Sequence, residues 1–202
     1  MASCTHHHDC ADHSCAAEWS LHAHIDTAKV WALNEASPGS SKSVFKSWDQ
    51  RLDLSGSLES NEDDPELILF IPFTTDVKIK SICVVGGTDG SSPSKMRAFI
   101  NREDIDFSDA RELLPVQEWD LAENLHGELE YPTRYPKFQG VANLTLHFPT
   151  NFGGTSTRIH YVGLKGESTK VNRDAVTNAV YEAYPNLSEH QIPGGTGAPE
   201  VS

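Results

Sequence analysis

The chain is short of cations, of cysteine beyond its first residues and of long apolar runs, and each shortage excludes a class of protein. Its 16 Lys and Arg stand against 29 Asp and Glu, so 16 − 29 leaves a formal charge of −13 over 202 residues. Binding a phosphate backbone needs a cationic face that releases counterions, so free nucleic acid is not an expected partner. An anionic bilayer is disfavoured for the same reason. The best apolar run, Leu67 to Phe73, contains Pro72 and falls far short of the roughly 20 residues of a membrane-spanning helix.

Three of the four cysteines, Cys4, Cys10 and Cys15, crowd the start, and only Cys83 lies in the body, so no disulfide framework follows. Cys83 sits among Val77, Ile79, Ile82, Val84 and Val85, where apolar burial raises a thiol pKa, and no second cysteine nearby makes a redox dithiol. It reads as a core thiol. The first twenty residues carry His6, His7, His8, Asp9 and Asp12 where a secretory signal needs a basic start and an apolar middle, so export is not expected. Nucleophile-elbow, zinc-helix and phosphate-loop motifs are missing as well. The expectation is a protein without catalytic residues or cofactors, not an enzyme.

What is present reads as all-β. Residues 1–21, rich in His, Cys, Ser and Asp, show neither the helical nor the strand period and read as a disordered tail. A short helix is expected from Asp26, whose carboxylate suits an N-cap with Ile25 and Val30 clasping across it, ending before Pro38-Gly39. Asn61 to Glu66 is an acidic turn. From Leu67 onward, short apolar or alternating runs are separated by turn clusters. Leu67 to Phe73, apolar on both faces, suits a central strand with a bulge or exit at Pro72. In the next strand Val77, Ile79, Cys83 and Val85 are expected on one face with Lys78 and Lys80 opposite. Met96, Ala98 and Ile100 alternate, as do Leu144, Leu146 and Phe148 against Asn143, Thr145 and His147. Phe107 to Leu121 reads as a long excursion, and Leu125 to Tyr131 as a further strand. In Arg158 to Gly166, Ile159 and Tyr161 are expected on one face, Val162 and Leu164 on the other. Val171 to Tyr181 reads as extended, and residues 193–202 as a flexible C-terminal tail. Seven or eight strands in roughly 160 residues without crossover helices fit an antiparallel β-sandwich, and the long connections favour a jelly roll or Greek key.

Candidate chemistry is sparse. Cys4, His6, His7, His8, Cys10, His13 and Cys15 are donors that zinc and copper prefer, but their spacing is irregular and lacks a Cys-x-x-Cys knuckle. A solvated tail is the favoured reading, and a metal-binding protein built on this cluster is kept as an alternative. His147 and His160 fall inside candidate strands, Gly86 to Gly90 reads as a plain turn, and the pairs Asp63-Asp64 and Glu128/Glu130 read as solvated acids. Trp31, Phe45, Trp48 and Trp119 lie outside the clearest strands, and aromatic anchors with charged neighbours are what protein interfaces use. Trp48 with Asp49 and Gln50 is the candidate platform for a small-ligand or carbohydrate-binding module, the second reading.

Several strings occur in a familiar order. Leu33-Asn34-Glu35, Val44-Phe45-Lys46-Ser47-Trp48, Ile71-Pro72-Phe73, Gly127-Glu128-Leu129-Glu130-Tyr131, Asn151-Phe152-Gly153 and Tyr161-Val162-Gly163-Leu164-Lys165-Gly166-Glu167 resemble the PITH domain. The resemblance is to a stand-alone copy of the domain that thioredoxin-like proteins carry at their C-terminus. Over about residues 22–192 it implies a galactose-binding-like jelly-roll β-sandwich, no catalytic residues, and a protein partner, the regulatory particle of the 26S proteasome, met in cytoplasm and nucleus. There is no thioredoxin domain here and no active-site dithiol, so redox activity does not carry over.

Overall fold

The computed structural model describes residues 19–172. The metal candidates Cys4 to Cys15, the C-terminal tail, His190 and all but the first two residues of Val171 to Tyr181 lie outside them. Among the described residues eight strands form: β1 (Trp31–Leu33), β2 (Leu58–Glu59), β3 (Leu67–Gly86), β4 (Lys95–Ile100), β5 (Gln117–Asp120), β6 (Glu130–Pro132), β7 (Val141–Phe148) and β8 (Arg158–Asn172). They are joined in the order β2-β8-β3-β7-β4-β5, and β1 and β6 also pair with β3. Among the described residues these strands pair antiparallel.

The 20-residue β3 serves both layers. Up to Pro72 it pairs with β1 and β7; beyond it the register to β7 shifts, keeping the Val77–Val141 pair, and the main partners become β8 and β6. Pro72 cannot donate to a ladder, so the strand changes sheets where a donor is missing. The two strands expected before and after this point are therefore one. The first sheet holds β1, the start of β3, β7, β4 and β5; the second holds β6, the rest of β3, β8 and β2. Leu69, Ile71, Val77, Ile79, Met96, Leu144, Leu146 and Phe148 fill the space between them.

Two bulges overturn the expected facing of residues. The register shifts between Ile79 and Ser81 and again between Val85 and Gly86, where Val85 lies opposite Tyr161 and Gly86 opposite Ile159. Each extra residue, Lys80 in β3 and His160 in β8, resets the period of two. Ile82 and Val84 therefore join Val77 and Ile79 in the core, while Cys83 and Val85 turn outward. Ile159 likewise shares the core with Val162 and Leu164, and Tyr161 faces out.

The helix expected from Asp26 does not form. Asp26 bonds back to Lys29, Ile25 bridges to Phe73, and the amide of Asp26 donates to the Pro72 carbonyl at 2.9 Å, so the segment is drawn onto the sheet edge. A single 3-10 turn, His22–His24, precedes it. The tail boundary also falls earlier than residue 22. Leu21 is 1% exposed, and Ser20 bridges to Lys165. The helix that does form, α1 (Phe107–Glu112), lies in the stretch read as an excursion. Asp106 caps it by accepting from the Asp109 amide at 2.8 Å. Ala110 and Phe107 pack with Ile68, Phe99 and Ile105 on the outside of the first sheet, which explains why Leu67 to Phe73 is apolar on both sides.

Candidate functional site

Outward-facing Cys83, Val85 and Tyr161 make a small apolar bed on the second sheet, and Trp48 closes it, edge-on to Tyr161 with ring centroids 6.5 Å apart. The indole is itself engaged by two cations: Arg51 lies 4.4 Å and Lys165 4.3 Å from its ring centroid. Farther along the face, Lys80 Nζ stands 3.7 Å from the ring of Trp19, which is 42% exposed. Glu130 ion-pairs with Lys165 and accepts from Ser81 Oγ at 2.8 Å, and Lys80 donates to Glu167 at 2.6 Å. The result is a strip of alternating rings and cations anchored by carboxylates. Beside it, Ser20, His22, Ala23, Ser47, Trp48 and Asp49 line a pocket of about 220 Å³.

A loop shields the other side of this bed. Asn124 is buried and organises it: Nδ2 donates to the carbonyls of Val84 at 3.0 Å and Leu129 at 3.2 Å, and Oδ1 accepts from the Glu128 amide at 3.1 Å. Burial beneath this loop pushes the Cys83 thiol up to about 11, with the Glu130 charge adding to the effect. Its thiolate is not populated at neutral pH.

A second concave feature lies at one end of the sandwich. There Glu59, Asp89, Ser91, Thr155, Ser156 and Arg158 are among the residues lining a cleft of about 470 Å³. Arg158 reaches Glu59 at 2.7 Å and Ser156 Oγ donates to the same oxygen at 2.9 Å. The Arg158 bond, against some burial, holds the Glu59 carboxyl below its ordinary value. The glycine run at 86–90 is thus more than a turn. With Asp89 and Gly90 at φ 58° and 80°, it brings Gly90 against Gly154, whose amide donates to the Gly90 carbonyl at 3.0 Å.

The third cluster is buried. His147, 0% exposed, contacts Glu66 Oε1 through Nε2 at 2.8 Å, and Arg111 of α1 clamps the same carboxylate from the other side. Burial pushes His147 below its ordinary value against the pull of Glu66. Burial also opposes ionisation of Glu66, yet the bonds from Arg111 and His147 outweigh it and keep the carboxyl lowered. A neutral His147 therefore donates from Nε2–H, and its Nδ1 has no partner. The trio pins the acidic turn to β7 and α1.

The sequence-selected aromatics divide accordingly. Trp31 stacks on Phe70 at 4.9 Å, Phe45 is buried, and Trp119 packs near Phe138 while its Nε1–H donates to the Pro132 carbonyl at 3.0 Å. Only Trp48 of the four belongs to the strip, and Asp49 shares its pocket. Trp19, Arg51, Lys80 and Lys165 were not selected, because their association depends on the bulges and on tertiary packing. Asp63 and Asp64 sit in the exposed turn, and Glu130 is consumed by its ion pair. Among the described residues no group of three or more His, Cys, Asp or Glu is placed to hold a metal ion.

The PITH domain model matches residues 11–185. The chain belongs to the PITH domain family. PITH domain-containing protein 1 of Dictyostelium discoideum is 45% identical over 86% of this chain and 85% of its own length, and that of Homo sapiens is 41% identical over 86% and 82%. Among solved structures, the family 32 CBM from C. perfringens NanJ in complex with galactose superposes with a TM-score of 0.51 at 12% identity, covering 72% of this chain and 96% of that one. The PITH domain here thus has the galactose-binding-like jelly-roll fold. Family and fold together support a protein-interaction or binding module.

Proposed function

We propose that this PITH domain is a non-enzymatic protein-interaction module that docks on the regulatory particle of the 26S proteasome, or on a similar large assembly, in cytoplasm and nucleus. The observation that carries the reading is the outer face of the second sheet, where Trp19, Trp48 and Arg51 cluster with Lys80 and Lys165. Trp and Arg supply a large share of the binding energy at protein interfaces. Two of the described groups able to do chemistry are engaged in structure: His147 by Glu66, and Cys83 by burial. Quantitative affinity purification of the intact chain at low salt without detergent is expected to enrich regulatory-particle subunits. Recovery of none would refute the proteasome assignment.

The 470 Å³ cleft favours a second reading, a small-ligand or carbohydrate-binding module. Its described lining offers hydroxyls, carboxylates and Arg158 but no aromatic ring, so a sugar there would rest on hydrogen bonds alone. At Trp48 a sugar would compete with Arg51 and Lys165 for the indole. A thermal shift with galactose or N-acetylgalactosamine would favour this reading; no shift with either would remove it.

A further inference from the structure

We infer that the Trp48 face accepts an acidic segment of a protein partner carrying one large apolar side chain, which enters the pocket between Trp48 and the Ser20–His22 stretch. The inference rests on the protein-docking reading and adds the partner's chemistry to it. The pocket, about 220 Å³, lies below the roughly 300–1,000 Å³ of small-molecule sites and suits a single side chain. Its indole wall offers apolar contact for the side chain, and Ser20, Ser47, His22 and the Asp49 carboxylate complete its lining, so the partner's acids face Arg51 rather than the pocket.

Charge selects the flanking residues. In a chain of net charge −13 this face gathers Arg51, Lys80 and Lys165 within reach of two indoles. Lys80 and Lys165 are already matched by Glu167 and Glu130. Arg51 is not: it makes no ion pair among the described residues, its Nη1 reaches only the Trp48 carbonyl, at 3.2 Å, and its Nε is buried without a hydrogen-bond partner. A carboxylate arriving from a partner pairs with that guanidinium, whereas a basic segment is repelled by it. The rim is apolar. Leu52 adjoins Arg51, and Leu125 and Leu129 flank Gly127, whose backbone lies against the Arg51 side chain; all three leucines are exposed. An uncompensated cation beside a side-chain-sized pocket matches an acidic segment that carries one large apolar residue.

The test uses the intact chain and a short fluorescein-labelled synthetic peptide in which Glu and Asp flank one Phe, read by anisotropy. Two control peptides replace Phe by Ala or every acid by Lys. The acidic Phe peptide is expected to bind, with both controls weaker by about tenfold or more. Arg51→Glu and, independently, Trp19→Ala should each weaken binding by about tenfold, while Arg102→Glu, on the loop after β4, should change it less than about twofold. Unchanged unfolding midpoints show that each variant is folded. Failure of the acidic peptide to bind, equal binding of the Lys or Ala peptide, or wild-type binding by Arg51→Glu would overturn the inference. A parallel arm with purified 26S proteasome separates the two ideas. If the intact chain and Arg51→Glu bind the proteasome equally, the face is wrong and the proteasome reading stands. If the acidic peptide binds with the expected pattern but the proteasome does not, the face stands and that reading falls.

Discussion

Replacing Glu66 by Ala should destabilise the domain through a single buried atom. His147 is enclosed, and its Nε2–H finds its acceptor in Glu66 at 2.8 Å. Removing the carboxylate strands that donor, which costs about 1–3 kcal/mol. Arg111 stands largely in solvent, so its half of the clamp adds little. For a domain of this size each kcal/mol lowers the melting temperature by about 2–4 °C, so the expected fall is roughly 2–12 °C. Glu66→Gln retains an acceptor and should lose less. Acid should act through the same cluster. The His147 pKa is depressed from its ordinary 6.5, so the unfolded chain binds the proton more readily, and stability present above that value is lost as pH falls from 6.5 through the folded pKa. Glu66, lowered from 4.5, adds a second loss as pH falls below 4.5 toward its folded value. Urea unfolding of wild type, Glu66→Ala and His147→Gln, followed by tryptophan fluorescence at several pH values, measures both effects. His147→Gln should flatten the upper part of the pH profile. A Glu66→Ala variant within about 0.5 kcal/mol of wild type, or a wild-type profile flat across the histidine range, would refute the reasoning.

Other perturbations test other parts of the fold. A Cβ at Gly166 would lie 1.9 Å from the Lys78 carbonyl oxygen across the β3–β8 ladder, so Gly166→Ala should cost more than the about 1–3 kcal/mol of ordinary overpacking and leave little folded protein by circular dichroism. Phe138 is fully buried between the sheets, and Phe138→Ala should cost about 3–5 kcal/mol in chemical denaturation. Iodoacetamide treatment of the native chain at neutral pH should leave Cys83 unmodified, with labelling appearing only in urea, as mass spectrometry of the peptide containing it would show. Labelling at the native rate of an exposed thiol would contradict its burial.

The strands were legible where period and partner agree. Leu144, Leu146 and Phe148 alternate in the sequence and face the core in the structure, with His147 on the opposite side. Leu67 to Phe73 declared a central strand because both of its faces are covered, one by the core and one by α1. The errors lie where tertiary bonds compete with local ones. Asp26 carries a valid helix-cap signal, but the free Pro72 carbonyl and the Phe73 edge take the segment instead. The signal for α1 was available in Asp106, three residues before Asp109, and was masked by the acids and Pro115 around it. The strip at Trp48 was half-visible. An indole beside Asp49 is apparent in the chain, but the approach of Lys165 and Trp19 from distant segments is not.

The bulges link these errors to the site. At Lys80 and Ser81, two consecutive residues of β3 point outward: Lys80 reaches Trp19 and Glu167, and Ser81 reaches Glu130. At His160 and Tyr161 the same happens in β8, and Tyr161 becomes part of the bed for Trp48. Each extra residue thus adds outward groups to the second sheet without moving Ile79, Ile82, Ile159 or Val162 from the core. Parity then predicts opposite outcomes for two length changes at the β3 bulge. Deleting Lys80 leaves Ile79, Ser81 and Ile82 facing in, out and in along a regular strand, so the fold should persist while the Trp19 contact is lost. Inserting one residue after Ser81 turns Ile82 and Val84 away from the core, and the domain should fail to fold. Thermal melts of the two variants decide the matter, and a tolerated insertion beside an unfolded deletion would show that the bulge, rather than the alternation around it, sets the register of β3.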